Sequence, residues 1–320
     1  MSFSGDIKEE LSMAGKASRH CQLAELASII SMCGAVAINS RGEYLLKIHT
    51  ENLAVSRKYF TLLKKTFNIR TDTSVRINKK KDNISYFVVL KDHEEAKRIL
   101  EVTNLLDSSG DVWEELSVIR NPVIHKLCCK RAFLRGAFLA SGSVSAPEKS
   151  YHLEFVCASE EKAKQIQDIM QFFRLDPKIV ARKKTYVVYL KEASQISDLL
   201  WVMEAYTQME EFEKIREWKD TRNTVNRKVN CETANINKTV SAAMKQMEDI
   251  RLIENVMGLD KLPDALRDMA VARLEYPDAS LKELGTLIHP NVGKSGVNHR
   301  LRKLCEIADG LRENKEEDHD

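Results

Sequence analysis

Two fifteen-residue stretches, YFVVLKDHEEAKRIL at 86–100 and YVVYLKEASQISDLL at 186–200, align without a gap. Strand or helix periodicity alone does not produce such a match, so the chain carries an internal duplication and its fold is built twice. In the first copy an apolar helix from Leu23 to Cys33 reaches Gly34, and alternating segments 35–39 and 44–49 form a hairpin around Ser40-Arg41-Gly42. A helix over 52–67, strands over 73–78 and 84–90, and a helix over 92–100 complete it. The second copy repeats the order: a helix over 124–141 ending at Gly142, a strand at 153–158, a helix at 159–173, the hairpin KIVA/TYVVYL, and a helix at 193–205. The pattern predicts an α+β fold of two αββαββα halves, related by a pseudo-twofold that pairs their first helices and sets their sheets side by side as a saddle. This region should occupy 1–219, with repeats over about 1–105 and 120–219.

The stretch 220–238, which contains RNTVNRKVNCETANINK, is polar, Asn-rich and poor in periodic apolar residues, as expected of a linker. From Thr239 onward the pattern is helical, and 239–312 reads as an all-α domain. A long helix should end near Gly258, a plausible C-cap, and the next should begin at Pro263, where a first-turn proline is tolerated, and stop before Pro277. Residues 313–320 carry one Lys against five acids and read as a disordered acidic tail.

Ser280-Leu-Lys-Glu283 has the spacing of a capping box, in which the serine accepts from the third backbone N–H and the glutamate reaches back. It starts a short helix, HPNVG (289–293) makes a turn, and a second helix runs over 294–311, so a helix-turn-helix is expected. At 100° per residue Val297, Leu301, Leu304 and Ala308 form the packing stripe of the second helix. The opposite face then carries Ser295, His299 and Arg302, flanked by Lys303 and Asn298, with Lys294 at the start; all can donate to base edges or phosphates. Arg300 lies nearer the core boundary and suits a phosphate or an intramolecular pair. Glu306 faces outward one turn further on, so contact with double-stranded DNA should concentrate in the first turns, as in recognition helices.

A charge of +3 over 320 residues is nearly neutral, so composition does not announce nucleic-acid binding and the distribution of charge has to. Two hairpin tips at equivalent places in the repeat are basic, Lys79-Lys80-Lys81 and Arg182-Lys183-Lys184. They could follow a duplex backbone as secondary contacts, or serve only to keep sheet edges from aggregating. The seven cysteines show no CxxC pair and no histidine at finger spacing, so neither a disulfide framework nor a zinc site is indicated. Vicinal Cys128 and Cys129 are expected to be two small buried residues in a helix. No apolar run approaches the 18 or so residues of a membrane span and the N-terminus has no signal-peptide pattern, so a cytoplasmic, nucleoid-associated protein is expected. No cofactor, metal or small-molecule substrate is indicated.

The segments LASIISMCG (26–34) and LRGAFLASG (134–142) resemble the LAGLIDADG motif of homing endonucleases, in which the residue before the last glycine is an acid that holds divalent metal. Cys33 and Ser141 stand at those positions, and neither offers the hard anionic oxygen Mg²⁺ prefers. As a whole, through NRKVNCETANINK, LPDALRDMA, SLKELG and KSGVNHRLRKL, the chain resembles the bacterial WhiA regulators. Gly293 is a departure, standing where a serine would be expected. The resemblance implies a degenerate LAGLIDADG-like domain joined to a helix-turn-helix, and roles in transcription, sporulation, cell division and chromosome segregation. It also brings Arg222, Arg227, Asn230 and Glu232 into a family segment that either touches DNA or locks the domains, though a plain polar linker accounts for them. In actinobacteria the family's partner is a WhiB-type iron–sulfur protein; no partner surface for transcription or division proteins is visible in this sequence. The expected function is therefore that of a non-catalytic DNA-binding transcription regulator. The rivals are a protein-interaction scaffold with an auxiliary DNA anchor and a metal-dependent endonuclease, the latter lacking both acids.

Overall fold

A computed structural model describes residues 2–14, 17–69, 71–78, 83–107 and 109–317. They divide into two compact units, 1–220 and 221–320.

The first unit opens with α1 (Phe3–Met13), which the sequence pattern did not announce. The first repeat follows as α2 (Arg19–Cys33), β1 (Gly34–Ile38), β2 (Tyr44–Thr50), α3 (Leu53–Phe67), β3 (Asp72–Asn78), β4 (Asn83–Leu90) and α4 (His93–Val102). The second is α5 (Leu127–Ser141), β5 (Gly142–Val144), β6 (Leu153–Cys157), α6 (Glu160–Phe172), β7 (Lys178–Arg182), β8 (Thr185–Leu190) and α7 (Ala193–Met203). The expected αββαββα order thus occurs twice. Each half makes an antiparallel sheet of the same order, β1-β2-β4-β3 and β5-β6-β8-β7. Helix starts follow local chemistry: the Asn52, Asp92 and Ser159 side chains accept from the first-turn N–H groups of α3, α4 and α6. Period-two burial along β2, with Tyr44, Leu46 and Ile48 inside, turns one sheet face to the helices and leaves Lys47 and His49 on the other.

The pairing of α2 with α5 joins the halves. A Cβ on Gly136 of α5 would collide with the Glu25 carbonyl oxygen and the Ser28 hydroxyl of α2, so only glycine permits this approach. Ser28 Oγ donates to the Phe133 carbonyl at 2.7 Å. Between the helices Glu25, 1% exposed, lies 3.2 Å from Lys58 Nζ and 3.3 Å from Arg135 Nε, and Arg135 reaches Glu204 at 2.7 Å. Ile7 and Leu11 of α1 join the core of the second half beside Phe133, Phe138 and Phe155.

The Asn-rich stretch 220–238, expected as a linker, belongs to one long helix, α8 (Tyr206–Val256), and residues 221–242 are exposed at every position. A helix that is polar nearly all round gives no amphipathic signal, which is why its helicity was invisible in the apolar pattern. In the second unit the end of α8 packs with α9 (Asp264–Glu275), α10 (Leu281–Leu287) and α11 (Lys294–Glu317). Gly258, at φ +82°, follows the end of α8; Pro263 is the N-cap of α9; and α9 ends before Pro277. The core contains Ile250, Ile253, Met269, Leu284, Val297, Leu301, Leu304 and Ala308. Arg273 spans the turn between α9 and α10, donating to the carbonyls of Pro277 at 3.2 Å and Ala279 at 2.9 Å. The acidic end, expected to be disordered from Glu313, continues α11 as far as Glu317. Its glutamates and lysine are strong helix formers that prolong a helix already nucleated upstream.

Candidate nucleic-acid interface

α10, the turn 288–293 and α11 form the expected helix-turn-helix, with α9 packed against both helices. The capping box closes in both directions: the Ser280 N–H donates to Glu283 at 2.8 Å, and the Glu283 N–H donates to the Ser280 hydroxyl at 3.4 Å. These backbone and hydroxyl hydrogen bonds hold the Glu283 carboxyl below its ordinary range. The turn folds back until the Val292 N–H donates to the Gly285 carbonyl at 2.9 Å, and a Cβ at 285 would run into the Val292 carbonyl oxygen. Gly293, the departure from the expected serine, brings no side chain to cap α11. Lys294 and Ser295 of its first turn are exposed, and a helix start without a side-chain cap carries partial positive charge, an arrangement suited to a phosphate.

Burial of Val297, Leu301, Leu304 and Ala308, each at most 1% exposed, fixes the rotation of α11. Lys294, Ser295, Asn298, His299, Arg302 and Lys303 are all exposed. Arg300 is half-buried and makes a long 3.5 Å contact to the Ala265 carbonyl. Arg302 Nε donates to Glu306 at 3.2 Å, an exposed pair four residues apart. Such a pair contributes only about 0.3–0.5 kcal/mol, so a phosphate can displace the carboxylate.

On the first unit, Lys79, Lys80 and Lys81 lie outside the described residues. Arg182, Lys183 and Lys184 are exposed around the tight β7–β8 turn, where Lys183 takes φ +55°. Arg182 also approaches Glu154 at 3.8 Å. A second basic feature lies on the face of the first sheet turned away from the helices and was missed in the sequence. Phe87 stacks on His49 with centroids 4.6 Å apart, and Lys47 Nζ and the Arg76 guanidinium approach its ring at 4.5 and 5.2 Å. Three cation-forming groups converge on one aromatic ring, yet they and the ring are spread over three strands, Lys47 and His49 on β2, Arg76 on β3 and Phe87 on β4, and form no run. Only the strand register, which pairs His49 and Ser74 with Phe87, brings them together. The second sheet differs: Glu154 occupies the equivalent face, held by His152 at 3.1 Å.

Comparison with known proteins agrees with this division. Residues 19–106 match the model of the WhiA N-terminal LAGLIDADG-like domain, 130–222 that of the WhiA LAGLIDADG-like domain, and 225–308 that of the WhiA C-terminal HTH domain. A protein of Lachnoclostridium phytofermentans named "Probable cell division protein WhiA" is 50% identical over 98% of this chain and all of its own length. The chain belongs to the WhiA family. A protein of the same name from Alkaliphilus oremlandii is 47% identical over 98% of the chain and 99% of its own length. The crystal structure of full-length DUF199/WhiA from Thermatoga maritima superposes with a TM-score of 0.58 at 27% identity, covering 97% of this chain and 98% of that one.

Within this WhiA-family fold the two motif positions that would carry acids in an endonuclease are bound to their own helices. Cys33 Sγ donates to the Ile29 carbonyl at 3.3 Å, and Ser141 Oγ to that of Ala137 at 3.2 Å. Burial pushes the Cys33 thiol up to about 12, so it stays neutral. A cation already occupies the neighbourhood: the Lys8 ammonium of α1 stands near Cys33 and lies 5.9 Å from the Phe138 ring. Burial lowers its pKa from 10.5 to about 8. Between those two values the unfolded chain holds more protons than the folded one, so this group's contribution to stability rises with pH across that window. Lys8→Met is therefore expected to stabilise the chain at pH 7 by about 1–3 kcal/mol, the gain fading by pH 10.5. Urea unfolding of both proteins at pH 7, 8, 9 and 10 measures it; a gain that grows with pH contradicts the assignment.

Among the described residues no helix is long and apolar enough to cross a membrane.

Proposed function

We propose that this chain is a non-catalytic DNA-binding transcription regulator that binds double-stranded DNA on the nucleoid through the helix-turn-helix of its second unit. It serves cell division and chromosome segregation, and sporulation in a host that sporulates. The observation that carries this reading is the exposed face of α11. A capped preceding helix and a buried Val297/Leu301/Leu304/Ala308 stripe present Ser295, His299, Arg302 and Lys303 together, beside a helix N-terminus with no side-chain cap. His299 and Arg302 are assigned to base edges, Lys294, Ser295 and Lys303 to the backbone, and Asn298 and Arg300 to the flanks.

Fragments enriched by the full chain from host DNA provide the ligand for an anisotropy titration. The double variant His299→Ala/Arg302→Ala should bind roughly 10²-fold more weakly with unchanged folding, since a good base contact contributes about 1–3 kcal/mol. Lys303→Ala should lower the slope of log affinity against log salt by about 0.9, one phosphate contact. Wild-type affinity in the double variant would overturn the reading. The same DNA incubated with Mg²⁺ should remain intact, because Cys33 and Ser141 provide no metal-binding carboxylate; cleavage would restore the endonuclease alternative.

A second reading makes the first unit a protein-binding module and the helix-turn-helix an anchor. Glu154 favours it, since a carboxylate on the outer face of the second sheet opposes a phosphate backbone there. Arg182→Ala/Lys183→Ala/Lys184→Ala in the full chain separates the two. An unchanged salt slope places the DNA on the second unit alone, while a fall of two or three phosphate equivalents brings the saddle into the complex.

A further inference from the structure

We propose that His20, Cys21, Cys128 and Cys129 form a zinc site that fastens together the first turns of α2 and α5. The sequence gives no finger spacing, because the four donors come as two adjacent pairs from opposite repeats. In the folded chain one donor atom from each lies within 4.8 Å of all the others. His20 Nδ1 is 3.2 Å from Cys129 Sγ, 3.3 Å from Cys21 Sγ and 4.0 Å from Cys128 Sγ. Tetrahedral Zn²⁺ with bonds of about 2.3 Å to sulfur and about 2.0–2.1 Å to nitrogen separates its ligands by roughly 3.5–3.8 Å. The three separations from His20 Nδ1 are thus within about 0.5 Å of such edges, and the sulfurs lie within 4.8 Å of one another, near enough for small side-chain movements to close the tetrahedron.

The repeat explains the convergence. α2 begins Arg19-His20-Cys21 and α5 begins Leu127-Cys128-Cys129, so the donors occupy the second and third positions of two helices that the fold sets side by side. Cys21 and Cys129 are buried with Ala24 and Ala132, whereas Cys128, expected to be buried, is exposed, as is His20. The buried pair forms the floor and the exposed pair leaves a route by which the ion enters. Ser18 Oγ lies 2.8 Å from His20 Nε2, so Nε2–H can donate to the hydroxyl while Nδ1 binds the ion, the outer-shell support metal-bound histidines commonly have. Ser18 Oγ also approaches Cys21 Sγ at 3.3 Å.

Charge and donor type agree with this choice of ion. Three thiolates and Zn²⁺ carry a net single negative charge, placed at the positive ends of two helix dipoles, neither of which has a side-chain cap. Arg120 and Lys126 line the adjoining groove. Three sulfurs and an imidazole nitrogen exclude Mg²⁺ and Ca²⁺, which require oxygen, and select a borderline-soft tetrahedral cation. With all four positions filled by protein the site is structural and holds no water for chemistry. Loading displaces the thiol protons and ties the stability of the first unit to free metal.

The test uses the full chain, purified under reducing conditions, stripped with a chelator, and titrated with Co²⁺ as a spectroscopic stand-in. Expected is one equivalent of Co²⁺ with a thiolate charge-transfer band and the visible bands of a tetrahedral site, bleached by one equivalent of Zn²⁺, together with a zinc-dependent rise in Tm. Ser18→Ala should weaken binding about 10–100-fold. Cys129→Ser should abolish the spectrum, and Cys128→Ser, at an exposed position where folding is not at stake, should reduce the charge-transfer band and remove the Tm response. Cys231→Ser, at an exposed cysteine elsewhere, should leave both unchanged. A wild-type chain that takes up no stoichiometric Co²⁺, or a wild-type spectrum in Cys128→Ser, overturns the proposal.

Discussion

Glu25→Ala should destabilise the first unit by about 3–5 kcal/mol, seen as a lower urea midpoint with an unchanged slope. The magnitude follows from what the substitution leaves behind. Lys58 is 4% exposed, and among the described residues its hydrogen-bond partners besides Glu25 are the Leu11 carbonyl at 3.3 Å and the Ala14 carbonyl at 2.7 Å; Arg135 is 3% exposed. Burial already lowers the pKa of Lys58 with Glu25 opposing it, while Glu25 and Glu204 together outweigh burial at Arg135 and raise its pKa. Removing the shared carboxylate leaves Lys58 a buried cation with carbonyl partners alone and leaves Arg135 with Glu204 as its one carboxylate among the described residues, between the helices on which both halves of the saddle depend. Replacing Glu25, Lys58 and Arg135 together by apolar residues of similar volume should recover most of the loss, because an absent charge needs no partner. A Glu25→Ala change under about 1 kcal/mol would mean that water reaches this site.

Gly285→Ala is the second large effect, and it falls on the other unit. Its methyl group would enter the space of the Val292 carbonyl oxygen, a backbone atom fixed by the Val292 N–H bond to residue 285 itself. The chain can relieve that overlap only by moving the turn off α10, at about 1–3 kcal/mol for overpacking. In a unit of this size the Tm should fall by roughly 4–8 °C per kcal/mol. The same movement changes the angle at which α10 presents α11, so DNA affinity should fall further than stability alone accounts for. Circular dichroism melting and the anisotropy titration on the same protein measure both. Retained affinity at wild-type stability would show that the turn is not the constraint assigned to it.

Taken with the Proposed function, these variants separate three roles. Glu25 bears on the integrity of the saddle, Gly285 on the geometry of the helix-turn-helix, and Arg302 with His299 on contact itself. A loss of DNA binding in the last pair alone is the signature of an interface, since both side chains are exposed and contribute little to the core.

Much of the architecture was legible because it is written in short-range relations. The gapless match of 86–100 with 186–200 revealed the duplication, alternation revealed the strands, and Ser280 with Glu283 set the start of α10. The stripe Val297, Leu301, Leu304 and Ala308 fixes the rotation of α11 from spacing alone, since a helix's faces follow from its pitch. Local pattern failed where local signals are absent or point elsewhere. α8 through 220–238 is helical without an apolar stripe to show it, and Glu313 to Glu317 extend a helix despite an acidic composition that suggests disorder.

The sequence by itself therefore determined the repeat, the elements within it and the outward face of α11. Only the tertiary structure decided which distant residues meet: Glu25 between Lys58 and Arg135, three cation-forming groups on Phe87, and His20 with Cys129, 109 positions away. The physical reason is the range of the forces that write the pattern. Backbone pitch and pleat relate residues two to four apart, so they leave a periodic trace. Convergence across a helix pair or a sheet register is set by packing of the whole unit and leaves no spacing to read.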